Sequence, residues 1–188
     1  MLRLSEREET IAWARALIDD PGTVYLDTET TGLNDGDEVV DLAVIGWDGA
    51  VLIDTLVRPK RPIPLDATMI HHLTDDDVRF APSWCEVYPW LCDTIAGKRV
   101  VVYNAAYDFR IIQGCCRHDG LPEPQPLDPW VCAMDAYARY RGEVNRRSGR
   151  FRWHKLEHAC QAFGIPVGGH RALGDAIACR AVVTAMAG

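Results

Sequence analysis

The chain has 188 residues, 48% of them hydrophobic, and a formal net charge of −7. That length suits one domain with a full core, and no apolar run approaches the roughly 18 residues of a membrane span. The acidic balance excludes a surface that is basic throughout, the usual footprint of a nucleic-acid binder, but leaves room for a local basic patch.

The N-terminal stretch MLRLSEREETIAWARALIDD is charged and amphipathic, unlike a secretory signal, which points to the cytoplasm. Ser5 with Glu8 forms a capping-box pattern opening a helix over 5–19, and Asp20-Pro21-Gly22 stops it. The apolar run from Thr23 opens a strand over 23–28. It carries Asp27 and enters Asp27-Thr28-Glu29-Thr30-Thr31-Gly32-Leu33. Side chains two apart on a strand share a face, so Asp27 and Glu29 present two carboxylates together. Such a pair is costly without a positive group between them, and a hard divalent cation such as Mg²⁺ or Mn²⁺ suits all-oxygen ligands. Acidic residues after a strand are also common in ordinary turns, so the pair alone does not decide.

Strands over 38–47 and 50–57 follow, with Asp48-Gly49 as the turn of an antiparallel pair. Pro59, Pro62 and Pro64 mark the exit. Helices are expected near 66–72 and over 84–96. A buried strand over 99–103 leads into a helix over 106–119, with Asp108 in its first turn, where an acid also favours the helix dipole. A short strand near Leu127 precedes a helix over 129–140. The stretch from Gly142 to Arg152 reads as a mobile loop, and a helix over 154–163 follows. Gly168 and Gly169 loosen the chain before His170, and Asp175 opens a helical run over 172–186. There is no internal repeat or low-complexity tract.

Three acidic motifs, each at a strand or helix end, carry a resemblance. DTETTGL from Asp27, YNAAYDF from Tyr103 and HRALGDA from His170 resemble the three motifs of the DEDD exonuclease superfamily. The histidine four residues and a step before its aspartate selects the histidine-bearing (DEDDh) branch. That branch holds polymerase proofreading subunits, ribonuclease T and oligoribonuclease. The first motif matches residue for residue. The second departs, with Tyr103 where His is usual and Tyr107 where Phe is usual. Ile70-His71-His72-Leu73-Thr74 and Phe163-Gly164-Ile165 are weaker echoes, and the likeness spans about residues 23–186. It implies an α/β, ribonuclease H-like fold: a central mixed β-sheet flanked by helices on both faces. The chain is then a single exonuclease domain over 1–188, with 1–22 a helical extension and 23–187 the nuclease core.

A phosphodiester is an anion and repels an attacking hydroxide. Two divalent ions about 4 Å apart can clamp the attacking and leaving oxygens. The resemblance implies that Asp27, Glu29 and Asp175 hold the ion that activates water, and that Asp27 and Asp108, the latter through water, hold the second. Imidazole changes charge near neutral pH, and His170 is the general base by the same resemblance. The implied activity is 3′-to-5′ exonuclease release of nucleoside 5′-monophosphates from single-stranded DNA, with RNA tails or short oligoribonucleotides as the alternative substrate. A non-catalytic binding module of the same fold is the alternative of another class. The five filled motif positions argue against it.

Substrate contacts are implied for Thr28 and Leu33 (the latter a wedge between terminal bases), Ile70, Asn104 and Tyr107. Core packing competes for Leu33, Ile70 and Tyr107, and helix capping for Asn104. His71 and His72 read as structural, and His118, His154 and His158 as solvated or satisfied. Relatives that work with a polymerase, or as homodimers, leave a polymerase or repair partner and a second copy open. The absence of a tail after Gly188 favours a free-standing enzyme, and no membrane partner is expected.

The seven cysteines are odd in number and contain no CxxC, so reduced, buried thiols are expected. Basic residues concentrate between Arg139 and Lys155, where seven of them face one acid, Glu143. Phe151 and Trp153 lie among these charges, a combination suited to a single strand's phosphates and bases, and also found in plain solvated loops.

Overall fold

A computed structural model describes residues 5–126 and 129–188. Its first helix, α1 (Glu6–Ile18), starts where the sequence places it. Ser5 Oγ accepts from the Glu8 N–H, and the Glu8 carboxylate accepts from the Ser5 N–H at 2.8 Å. The strands are β1 (Thr23–Thr30), β2 (Val39–Gly46), β3 (Val51–Leu56), β4 (Arg99–Val102) and β5 (Val131–Cys132). They form one sheet in the order β3-β2-β1-β4-β5. β1 runs antiparallel to β2, and β2 to β3, while β4 is parallel to both β1 and β5. The sheet is mixed, as expected.

Strand periodicity sorts the core into two layers. Tyr25, Ala43, Ile45 and Val101 face a layer built with α1, α6 (Ala133–Arg141), α7 (Leu156–Phe163) and α8 (Ala172–Ala187). Val24, Leu26, Leu42, Val44, Val100 and Val102 face the other, built with α4 (Trp84–Ile95) and α5 (Ala105–Asp119). Both faces of the sheet are therefore covered, which explains why β2 reads as an almost continuous apolar run. Ala14 and Leu17 bring α1 into the first layer, so the N-terminal helix packs on the core.

Two short helices, α2 (Leu65–His71) and α3 (Asp75–Val78), follow the third strand. α3 was not expected; its capping box pairs Thr74 with Asp77 across a run of three acids that conceals the signal. The strand expected near Leu127 falls outside the described residues. The helix expected from residue 129 begins only at Ala133, because Val131 and Cys132 pair with Val101 and Val102 as an extra strand. A β-bridge between Val144 and Phe151 folds the basic stretch into a small hairpin rather than an open loop. Among the described residues, no helix is long and apolar enough to cross a membrane. All seven cysteines are free thiols, but Cys85 is exposed and Cys92 and Cys132 are only half-buried.

Candidate active site

Asp27 and Glu29 sit on the same face of β1 near its carboxyl end, the face toward α8. Asp175 lies in the first turn of α8. One ligand oxygen from each of these three carboxylates lies within 4.8 Å of the others. Thr28, between them, points to the opposite face, where its hydroxyl donates to Asp108 Oδ1 at 2.7 Å. Asp108 is buried in the first turn of α5. The structure thus brings three of the four expected acids, Asp27, Glu29 and Asp175, within ligand distance of one another, while Asp108 stands outside that group, close enough for its charge to act on Asp27.

Their electrostatics report unrelieved crowding. Burial, followed by the charges of Asp108, Asp175 and Glu29, holds the Asp27 carboxyl well above the usual carboxylate range. Burial and Asp175 push Glu29 up to about 8. Burial raises Asp108 to about 7, against the lowering effect of the Thr28 hydroxyl. Burial also raises Asp175, and His170 opposes that rise. A set of hard oxygen donors held this close, with Arg171 near Glu29 too weak a counter-charge to stop its rise, fits a divalent cation.

His170 reaches the cluster from a strained approach. Its φ is +54°, in the left-handed region that non-glycine residues avoid. A Cβ on Gly168 would overlap both the Asp175 carboxylate and the Gly174 backbone, so only glycine permits this close passage. His170 Nε2 lies 3.6 Å from Glu157 Oε1, and the side chain is partly open to solvent.

The expected substrate residues divide by exposure. Leu33 is 75% exposed and Ile70 53% exposed, so core packing accounts for neither. Asn104 is exposed with φ +73° and makes no side-chain capping bond, which removes the capping explanation. The Tyr107 hydroxyl is engaged internally, donating to the Gly32 carbonyl at 2.8 Å and touching the Thr30 hydroxyl. It braces the turn after β1. His71 is buried, its Nδ1 accepting from the Leu73 N–H at 3.1 Å, in keeping with a structural role. His154 departs from expectation. Its Nε2 is buried without a hydrogen bond, 3.7 Å from Glu143, because the ring packs edge-on against Tyr137.

Residues 24–183 match the Exonuclease family. The chain is 38% identical over 170 residues to the uncharacterized exonuclease CP81 of Escherichia phage 186, covering 87% of each chain. It is 31% identical over 179 residues to the DNA polymerase III subunit epsilon of Treponema pallidum, covering 93% of this chain and 80% of that one. Among solved structures, Exonuclease X in complex with 5′ overhanging duplex DNA superposes with a TM-score of 0.66 at 26% identity, over 87% of this chain and 90% of that one. The chain belongs to the exonuclease family.

For this exonuclease, the supporting roles of Asp41, Arg110 and Tyr103 escaped the sequence reading. Asp41 of β2 is wholly buried and pairs in register with Glu29. Its Oδ2 accepts from Arg171 Nε at 2.7 Å and from the Ala172 N–H at 3.2 Å, which ties the start of α8 to the sheet. An acid inside the run Val39 to Ile45 was the available signal. Arg110 donates to the Leu33 carbonyl at 2.9 Å and pairs with Asp35 at 2.6 Å, fixing the loop that displays Leu33. Tyr103, the departure in the second motif, is buried and donates to the His154 carbonyl at 2.9 Å. It anchors the chain ahead of α7.

Proposed function

We propose that this exonuclease removes nucleotides one at a time from the 3′ end of single-stranded DNA. The observation that carries the reading is the three-carboxylate cluster at the end of β1, with His170 beside it and Asp108 bonded to Thr28. Asp27, Glu29 and Asp175 would hold one Mg²⁺ or Mn²⁺, and Asp27 with Asp108 a second. When bound, these ions lower the pKa of water and neutralise charge on the reacting phosphate.

The chain's own groups supply the rest. His170 accepts the proton of the attacking water, and the Glu157 carboxylate stabilises the imidazolium that results. Thr28 orients Asp108 by donating to it and favours its ionised form against the effect of burial. Asp41 and Arg171 hold the first turn of α8, and with it Asp175, against β1. Leu33, braced by Arg110, and Ile70 offer apolar surfaces to the terminal bases. Asn104 offers an exposed polar contact at the start of α5. The free thiols suit a reducing compartment such as the cytoplasm. Support for DNA comes from the relatives, one a DNA polymerase III subunit and another solved on overhanging duplex DNA.

The test is cleavage of matched 5′-labelled single-stranded DNA and RNA with Mg²⁺, Mn²⁺ or EDTA, resolved on a gel. A metal-dependent ladder shortening from the 3′ end, faster on DNA, is expected. A faster RNA ladder would replace the substrate. Intact strands in every lane from folded protein would replace the enzyme with a binding module.

A further inference from the structure

β4 is parallel to both of its neighbours, so the carboxyl ends of β1, β4 and β5 open on the same edge of the sheet. Ligands of open α/β sheets gather in the crevice at such ends. The end of β1 carries the carboxylates. Beyond the ends of β4 and β5 lies a cavity of about 700 Å³, walled by Phe109, Trp130 and Trp153. Its size falls within the range of about 300–1,000 Å³ typical of small-ligand sites. It abuts Asn104 and Ala105, the start of the same helix that carries Asp108 in its first turn.

A second hollow adjoins this cavity at Trp153. Trp153 and Asp135 also line this second hollow, of about 480 Å³, bordered by Arg139, Arg150 and Arg152. The two hollows adjoin at these shared residues, with Trp153, 64% exposed, between them, and we treat them as one groove. The hairpin closed by the Val144–Phe151 bridge sets its position. Backbone bonds from Asn145 N–H to the Arg150 carbonyl (2.8 Å) and from Arg152 N–H to the Glu143 carbonyl (2.7 Å) hold both arginines beside the groove. Residues 139–155 carry seven basic residues and one acid in a chain whose net charge is −7. A polyanion meets attraction along the hairpin side, where arginines border the second hollow, whereas the charged residues lining the first, Glu123 and Asp135, are acidic and turn phosphates toward the arginines.

We propose that this groove holds the part of the single strand that lies 5′ of the two nucleotides flanking the cleaved bond. Nucleobases stack on Trp153 and Trp130 while phosphates run along Arg139, Arg150 and Arg152. Asp135 repels phosphate but accepts from base amino groups, so it keeps base edges inward and the backbone on the arginine side. An apolar peptide would use the tryptophans but leave the arginines without a role. The groove deepens the nuclease reading above and rests on it, because the strand it holds is the one that enters the carboxylate site.

The test compares Trp153→Ala, Trp153→Phe and the double variant Arg150→Ala/Arg152→Ala with the parent chain. The substrates are a 5′-fluorescein dodecathymidylate and a thymidine dinucleotide, in Mg²⁺. These side chains are exposed, and circular dichroism verifies folding. Trp153→Ala should lower kcat/KM on the dodecamer by about 5- to 150-fold and leave the dinucleotide unchanged, and Trp153→Phe should restore most of the loss. The arginine pair should flatten the salt dependence of dodecamer binding by about 0.7 per lost phosphate contact. Equal losses on both substrates, or none on either, would overturn the groove. If the parent chain cleaves neither substrate, dodecamer binding by fluorescence anisotropy in EDTA separates the two ideas. Weaker binding by the Trp153→Ala variant keeps the groove and removes the nuclease, whereas unchanged binding removes the groove.

Discussion

Asp27 and His170 occupy the same site but do different work, and that difference is measurable. Asp27 is buried among Asp108, Asp175 and Glu29, so its carboxylate is tolerable only when protonated or bound to a cation. Asp27→Asn keeps the shape and mimics the protonated form. The variant should fold in EDTA with a Tm close to that of the parent. It should lose the Mg²⁺-induced rise in Tm and about a thousandfold or more in turnover. His170 stands at the edge of the cluster, partly solvated and facing Glu157. His170→Ala should keep the Mg²⁺-induced rise while losing about 10²- to 10⁴-fold in single-turnover rate. Thermal scans with and without Mg²⁺, paired with single-turnover cleavage, read both. Loss of the metal response in His170→Ala would make that histidine a ligand instead of a base, and an active Asp27→Asn would remove the site assignment.

At the scale of elements, the entry to α8 is a tightly constrained join. Gly168 passes so close to Gly174 and Asp175 that any side chain must displace one of them. Gly168→Ala should therefore cost about 1–3 kcal/mol of stability, seen as a drop of about 2–4 °C in Tm per kcal/mol. Turnover should fall as well, because Asp175 shifts with its helix. A variant with parental Tm and activity would show that the loop has room. Much of this architecture was legible in the sequence. Short apolar runs marked β1 and β4, the Ser5–Glu8 pair marked α1, and the motifs placed Asp27, Asp108 and Asp175 at element ends. What escaped depends on distant partners. Asp41 and Arg171 are 130 residues apart, so no local spacing announces their pairing. β5 exists because β4 offers it an edge, and only pairing reveals that. Tyr103 could be seen as a departure from its motif, but its role follows from the His154 carbonyl brought to it by tertiary folding.

For the whole molecule, the acidic cluster couples folding to pH and to metal. Unfolded aspartate and glutamate lose their protons near pH 4. In the folded chain Glu29 is raised to about 8, Asp108 to about 7, and Asp27 and Asp175 are raised also, with burial the leading cause in each. Between about pH 4 and 8 these four carboxyls therefore hold more protons in the folded state than in the unfolded one, and their contribution to stability in EDTA falls as pH rises through that window. The contributions of His71 and His154, whose pKa burial lowers, are opposite in sign and fewer. Arg171 and His170 are the cationic groups that oppose these shifts, on Glu29 and Asp175 respectively, and neither cancels them. A divalent cation takes the place of the retained protons, so its binding releases them and strengthens with pH. The rise in Tm produced by saturating Mg²⁺ should accordingly be small at pH 5 and grow steadily to pH 8, while the Tm in EDTA declines over the same range. Thermal scans at pH 5, 6, 7 and 8, with Mg²⁺ or EDTA, measure both curves. A Mg²⁺ effect of constant size would mean that the carboxylates are already ionised at pH 5 and that their crowding is relieved by something other than protons.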